Sequence, residues 1–473
     1  MSSQRLAWVP YSQVSAFEMQ KNVNLVAIQI AACLGFFVVQ LDVSVVNVGL
    51  GALKSAFGTN LTGLQWVINS YALVFSALLI LGGGLGDKWG AKGVFVFGFA
   101  VFTLASLGCG LATSMPMLII MRCVQGLGAA FLIPTSLTLI RQNFSDPDKR
   151  RSAVALWGAC GGIALAAGPV LGGFMIQYLG WRSVFLVNIP LGVLAIYLTL
   201  RFTSASPRTD NKVDVYGQVS IATCLALLTY GLTEASGLGW TAIPLSSMGL
   251  AALALYVFML LEAKVSAPML PARLSRNNVL LAMMFTGGVI NLTFYGVVFI
   301  LSIYFQTILH YDAVRTGLAF IPLTAVMTVS SLASARVARH VSALKIMTSG
   351  LALQVVGFLL LSQVGPDSSA WLLNGALVIV GIGSASTVPS MNNSMLAAVS
   401  QSDAGMASGL MSSARQLGGV IGVAVFGILI SQDEPSAFAS GMSVSMQVCV
   451  GVLLACIIVN MALIRPRAAP IQA

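Results

Sequence analysis

The chain has 473 residues, of which 57% are hydrophobic and only 8% charged, with a mean hydropathy of +0.91. A soluble domain carries about 25% charged residues, so this composition excludes a water-facing surface of ordinary size. The net charge of +10 would suit nucleic acid as a partner, but its distribution along the chain has another explanation.

Residues 1–22 hold neither an apolar core nor a small-residue cleavage site and read as a cytoplasmic tail. Beyond them, apolar runs that can cross a bilayer core of ~30 Å recur near 24–52, 63–86, 93–113, 117–141, 151–178, 182–202, 214–235, 242–263, 278–307, 313–338, 344–362, 370–398, 404–431 and 440–464. These predict an all-α polytopic membrane protein of fourteen spans; a β-barrel would show short alternating segments instead. With both termini cytoplasmic, 19 of the 24 Lys and Arg lie in cytoplasmic segments and three (Lys54, Arg182, Arg315) lie outside, while Arg122 and Arg415 fall within helices. This is the positive-inside pattern. It predicts a multi-pass protein of the cytoplasmic (cell) membrane whose positive face meets the anionic inner leaflet, with no need for nucleic acid. The seven cysteines show no metal-ligand spacing, and His310 and His340 are the only histidines. No metal site and no enzymatic nucleophile–base pair is expected.

In the first span, Asp42 is the one acid of fourteen that lies deep in a helix. A carboxylate there costs roughly 2.5 kcal/mol or more, so it is a functional residue by default. Burial disfavours its charge and a nearby cation favours it, and a group held between the two can take up and release a proton. Gln40 and Asn47 on this span, and Trp66, Asn69 and Tyr71 on the second, are candidate cavity residues.

The stretch "LGGGLGDKWGAKG" (81–93) joins spans two and three. A phosphate loop needs Gly, four residues, then Gly-Lys-Ser/Thr; Lys88 follows Asp87, so that reading fails, and no other ATP-binding motif is present. The stretch instead predicts a tight turn whose small residues let helix ends approach, with Asp87 just ahead of helix three and favoured by its dipole.

Arg122, in span four, lies at a depth of roughly 8 Å and Asp42 at roughly 12 Å, counting 1.5 Å per residue from the outer edge. They are expected to pair, although a snorkelling Arg122 would satisfy the sequence equally. Span five carries Gly158, Gly161, Gly162, Gly168, Gly172 and Gly173 around Pro169. The 158/162 and 168/172 spacings predict close-packing faces, and Pro169 permits a kink; generic membrane packing is the alternative. Trp157 joins the cavity candidates, as do Asn291, Tyr295, Gln306, Asn374 and Asn393 further on. Arg415 reads as interfacial, near the cytoplasmic end of its span. Glu234 is the next acid to test should Asp42 fail.

Helix four reads "QGLGAAFLIPTS" and helix twelve "VGIGSASTVPSM", so Gly126, Gly128 and Pro134 recur 255 residues later as Gly381, Gly383 and Pro389. That offset pairs spans 1–6 with spans 9–14 and leaves spans 7 and 8 as an insertion. The resulting divisions are an N-terminal six-helix bundle (23–203), a linker with helices 7–8 (204–264), a C-terminal six-helix bundle (265–465) and tails at 1–22 and 466–473.

These motifs together resemble the major facilitator superfamily, and within it the fourteen-span drug:proton antiporters. Gly83, Leu85, Asp87, Lys88, Gly90 and Lys92 match the family's loop signature Gly-x-Leu-x-Asp-Arg-x-Gly-Arg-Lys, with Lys88 for the first Arg and Ala91 for the second. "LIIMRCVQGLGAA" (118–130), "GPVLGG" (168–173, with Ala164 for a leading Gly), "LDVSVVNVGL" (41–50) and "WRSVFLVNIPLG" (181–192) are similar to its helix 4, helix 5, helix 1 and helix 5–6 signatures. The "RQLGG" stretch at Arg415 is similar too. The resemblance implies a major facilitator fold that works by alternating access and is driven by protons without a cofactor. It implies proton coupling by Asp42 and Arg122, gating by the loop around Asp87, and leak control by Gly168, Pro169, Gly172 and Gly173. The expected activity is export of small amphipathic drugs or antibiotics by a monomer in the bilayer. A dedicated exporter of one metabolite, siderophore or self-made antibiotic is the alternative within the fold; a sensor or a membrane enzyme is the alternative outside it.

Overall fold

The computed structural model describes residues 24–206, 208, 214–265, 271–337, 341–400, 403–430 and 435–464. The two tails, most of the 207–213 linker and His340 lie outside the described residues. Fourteen helices are long and apolar enough to cross a membrane. They are α1 Leu25–Val48, α2 Leu61–Trp89, α3 Ala91–Gly110, α4 Met115–Asn143, α5 Pro147–Leu179, α6 Ser183–Phe202 and α7 Val215–Leu238. The rest are α8 Ala242–Glu262, α9 Asn278–Ile308, α10 Ala313–Ser330, α11 Ala343–Leu361, α12 Ala370–Ala398, α13 Ala404–Leu429 and α14 Pro435–Leu463.

Polar caps set several boundaries that hydropathy alone misplaces. Asn24, Asn60 and Ser114 accept hydrogen bonds from the first free backbone amides of α1, α2 and α4. Asp146 does the same ahead of Pro147, so α5 starts four residues before the apolar run, on a capped turn with proline at its first position. Helix α1 stops at Val48, short of the expected 52; a break at Gly49 leads into the short helix Leu50–Phe57.

The turn between α2 and α3 is tighter than expected. Gly90, at φ +95°, alone separates the two helices, a backbone region that side chains rarely tolerate. Helix α2 therefore continues through Asp87 to Trp89. Asp87 belongs to the last turn of α2, where that helix's own dipole disfavours a carboxylate, and not to the entry of α3.

The helices pack in two matching sets. In the first, α1 packs on α5 and α6, α2 on α4, and α3 on α4 and α6; in the second, α9 packs on α13 and α14, α10 on α12, and α11 on α12 and α14. Each of these five pairs in the first set has its counterpart eight helices later. The glycines explain the match. Gly126 of α4 lies against the Tyr71 carbonyl of α2, and Gly381 of α12 lies against the Leu323 carbonyl of α10. Gly128 meets Gly98 and Phe102 of α3, and Gly383 meets Gly350 and Gln354 of α11. The 255-residue repeat is thus a repeat of backbone contacts. Helix α7 carries α8 and packs across both sets, on α2 and on α13.

Proline shapes the interior as well. Pro169 has no N–H to give the carbonyl of Leu165, four residues back. The Ser44 hydroxyl of α1 supplies that hydrogen bond at 2.8 Å, with Gly168 packed on the same serine. Gly172 packs on Val45 and Gly173 on Ala313 of α10. The 168/172 face is therefore a close-packing face. The 158/162 face is not: a Cβ at Gly158 or Gly162 would meet open space, and both glycines are exposed.

Candidate functional site

Asp42 is buried, 17 residues into α1, and forms an ion pair with Arg122 of α4. Neither side chain is more than 1% exposed. The carboxylate also accepts from Gln125 Nε2 at 2.8 Å and from Asn188 Nδ2 of α6 at 3.3 Å. Gln125 in turn accepts from Arg122 Nη1 at 2.7 Å and donates to Ser106 of α3 at 2.9 Å. Arg122 Nε donates to the Val67 carbonyl of α2 at 3.0 Å, and its guanidinium lies over the ring of Tyr71, 4.3 Å from the centroid. Five of the six helices of the first bundle thus contribute to one charge pair. A buried pair repays its desolvation only with such geometry.

A cavity of about 20 Å³ adjoins this network at the seam between the bundles. It is lined by Asn69, Tyr71 and Arg122 on one side and by Tyr295, Gln416 and Gly419 on the other. The Tyr71 hydroxyl and the Asn69 Oδ1 are buried there without partners among the described residues. The space and the two polar atoms suit one water molecule.

The bundles are joined at one end. Ser302 Oγ of α9 donates to the Asn47 carbonyl, and the Gly51 amide donates to Gln306 Oε1 at 2.9 Å. Gln65 Nε2 of α2 donates to the Val423 and Ala424 carbonyls of α13 at 2.8 and 3.2 Å. Gly317 of α10 rests on the Pro169 carbonyl. Among the described residues, all hydrogen bonds between the two bundles lie at this end, which carries the α1–α2 and α5–α6 connections. At the other end a cleft of about 520 Å³ opens between Arg141, Arg150, Arg151 and Ala404.

This geometry sorts the residues singled out from the sequence. Asn69, Tyr71 and Tyr295 line the small cavity, while Asn291, outside its lining, accepts from Arg415 Nε at 3.3 Å. Asn47 and Gln306 are in the closed seam. Trp66 donates to Glu234 of α7 at 2.8 Å, and Asn69 donates to Thr233 at 3.1 Å, so both fasten the inserted helix. Trp157 stacks on Phe36 and donates to Ser136 within the first bundle. Gln40 and Asn374 are half-buried and Asn393 is exposed; nothing brings these three to the cavity. In the loop, Gly83 packs beside Pro134 and Gly90 beside Ser206. Lys92 donates to the Leu200 and Thr203 carbonyls of α6. Asp87 and Lys88 are exposed, with Arg141 the cation acting on Asp87.

Two features escaped the sequence reading. Asn188, a ligand of Asp42, lies in the quoted "VNIPLG" stretch and could have been found as a polar residue at the same depth. Arg415 is not interfacial: it stands eleven residues into the 26-residue α13, near its midpoint.

The geometry is that of a two-bundle transporter with a charge pair in one bundle and a seam closed at one end. The Major Facilitator Superfamily profile matches residues 32–423, and the chain belongs to that family. It is 33% identical over 407 residues to a methylenomycin A resistance protein of Bacillus subtilis, covering 86% of this chain and 87% of that one. It is 38% identical over 414 residues to a cephamycin export protein of Amycolatopsis lactamdurans, covering 84% and 83%. It is 32% identical over 404 residues to the multidrug resistance protein Stp of Mycobacterium tuberculosis, covering 85% and 75%. The fold is similar to the crystal structure of the peptide transporter POT, with TM-score 0.68, 13% identity and coverage of 97% and 100%. The protein is a multi-pass membrane transporter.

Proposed function

We propose that the protein exports small amphipathic drugs or antibiotics in exchange for protons, by alternating access about the seam between its bundles. The observation that carries this reading is the buried Asp42–Arg122 pair, built from five helices of one bundle and facing the other across a small cavity. Asp42 is the proton carrier and Arg122 its counter-charge. Gln125 and Asn188 hold the carboxylate in place, and entry of a proton releases Arg122 from the pair. The charge pattern puts both termini in the cytoplasm, so the joined end is extracellular and this conformation faces inward. Asp87, beside Arg141 at the opposite end, is the residue we assign to holding that end shut in the alternate state.

The energy is sufficient. One charge moving through 100 mV releases about 2.3 kcal/mol, which at 1.4 kcal/mol per factor of ten sustains roughly a 40-fold gradient. Relatives named for one antibiotic and relatives named for many drugs both support export. The first kind favours a second reading, a dedicated exporter of one compound.

The test uses inside-out vesicles with an imposed pH gradient and a panel of fluorescent cationic, neutral and anionic amphiphiles. We expect uphill accumulation that an uncoupler abolishes. Accumulation of a single compound would select the dedicated exporter, and accumulation indifferent to the uncoupler would remove proton coupling.

A further inference from the structure

Among the described residues, Arg415 is a charge without a counter-charge. It stands at the middle of α13, half-buried, and its only hydrogen bond among the described residues is from Nε to Asn291 Oδ1 at 3.3 Å. No acid occurs in any span of its bundle: α9 to α14 contain no Asp or Glu. A cation at mid-membrane is expensive and pairs with an acid or marks a substrate path. Arg122, in the other bundle, has its acid; Arg415 has none among the described residues.

The arginine stem rests on Gly287 of α9, where any Cβ would meet Cγ at 2.8 Å, with the sulfurs of Met391 and Met411 beside it. One face is thus apolar and adaptable, while Nη1 and Nη2 hold no hydrogen bond among the described residues and suit a bidentate pair with a carboxylate. Tyr295 of α9 lines the same small cavity as Arg122 and as Tyr71, which carries Arg122 on its ring. The cytoplasmic cleft adds Arg141, Arg150 and Arg151, of which Arg151 pairs with Asp148, so the approach is cationic too.

We propose that Arg415 binds the acid group of the export substrate, and that this transporter takes amphipathic carboxylates in preference to cations. The proposal rests on the exporter reading and names the substrate class of the same site. It has an energetic consequence. Exchanging one proton inward for one monoanion outward moves two charges, so 100 mV alone sustains a gradient on the order of 2,000-fold, where a monocation gains nothing from the potential.

The experiment is fluorescence titration of the purified full chain with three matched probes: pyrenebutyric acid, its primary amide and pyrenebutylamine. We expect the acid to bind at least ~10-fold more tightly than the amide or the amine. Arg415→Gln should abolish that preference, bringing acid binding down to the level of the amide, and Arg415→Lys should keep part of it. Thermal melts of each variant establish that it is folded. Equal binding of the three probes by the wild type overturns the proposal, as does an unaltered acid preference in folded Arg415→Gln. Failure of the two readings is distinguishable. Acid-selective binding without proton-driven uptake in vesicles would sink the exporter reading alone, and proton-driven uptake of pyrenebutylamine only would sink this one alone.

Discussion

The Ser302 hydroxyl donates to the Asn47 carbonyl across the bundle interface, and the two residues are 255 positions apart. Gly51 and Gln306, joined at 2.9 Å, are separated by the same 255, the offset that relates Gly126 to Gly381. Equivalent residues of two repeats can touch only where they approach the symmetry axis. That axis therefore passes between α1 and α9 at the closed end.

If these contacts part during turnover, locking them should stop it. In a background freed of the seven native cysteines, Asn47→Cys with Ser302→Cys should cross-link in the inward-facing state and block export, with recovery on reduction. Cross-linked protein that exports at the uncross-linked rate would mean that this seam never opens.

Asp42→Asn should fold and insert but lose pH-driven transport, since the amide mimics the neutral acid and cannot cycle. Transport into inside-out vesicles at a wild-type rate would move the proton site elsewhere, and Glu234 would then be examined.

Removing one partner of a buried pair costs about 3–5 kcal/mol, because a charge is left uncompensated. Arg122→Ala should therefore lower the melting temperature more than the double variant Asp42→Asn with Arg122→Ala. A double variant less stable than Arg122→Ala would show that the pair is not what holds these helices.

Two glycines provide a packing contrast. A Cβ at Gly128 would lie 2.6 Å from the Phe102 nitrogen and 2.8 Å from the Gly98 carbonyl. Gly128→Ala should then destabilise by about 1–3 kcal/mol. Gly158→Ala, into open space, should be silent or slightly stabilising in the same melts.

Asp87→Asn should retain ligand binding and lose turnover, if this carboxylate secures the cytoplasmic end. Ordinary export by well-expressed Asp87→Asn would reduce the stretch from 81 to 93 to a turn that Gly90 makes possible.

Fourteen spans, their alternation of charge, the repeat and the prominence of Asp42 were legible in the sequence, because a bilayer imposes length, apolarity and sidedness on every span independently of its neighbours. The pairing of Asp42 with Arg122 was half legible, since depth can be counted but the direction of a side chain cannot. Which glycines pack was not legible at all. The 158/162 and 168/172 spacings look alike along the chain, and only the second meets another helix. The carbonyl freed by Pro169 finds Ser44 from 121 residues away, and Asn188 reaches Asp42 from 146 away. Arg415 reads as interfacial in the sequence, although its span is already placed at 404–431; the midpoint position within α13 and the packing against α9 make it a mid-membrane cation. Composition and periodicity act within one helix, and lipid enforces them there. Partners are chosen between helices by rotation and close approach, which depend on every neighbour at once, so the tertiary structure alone decides them.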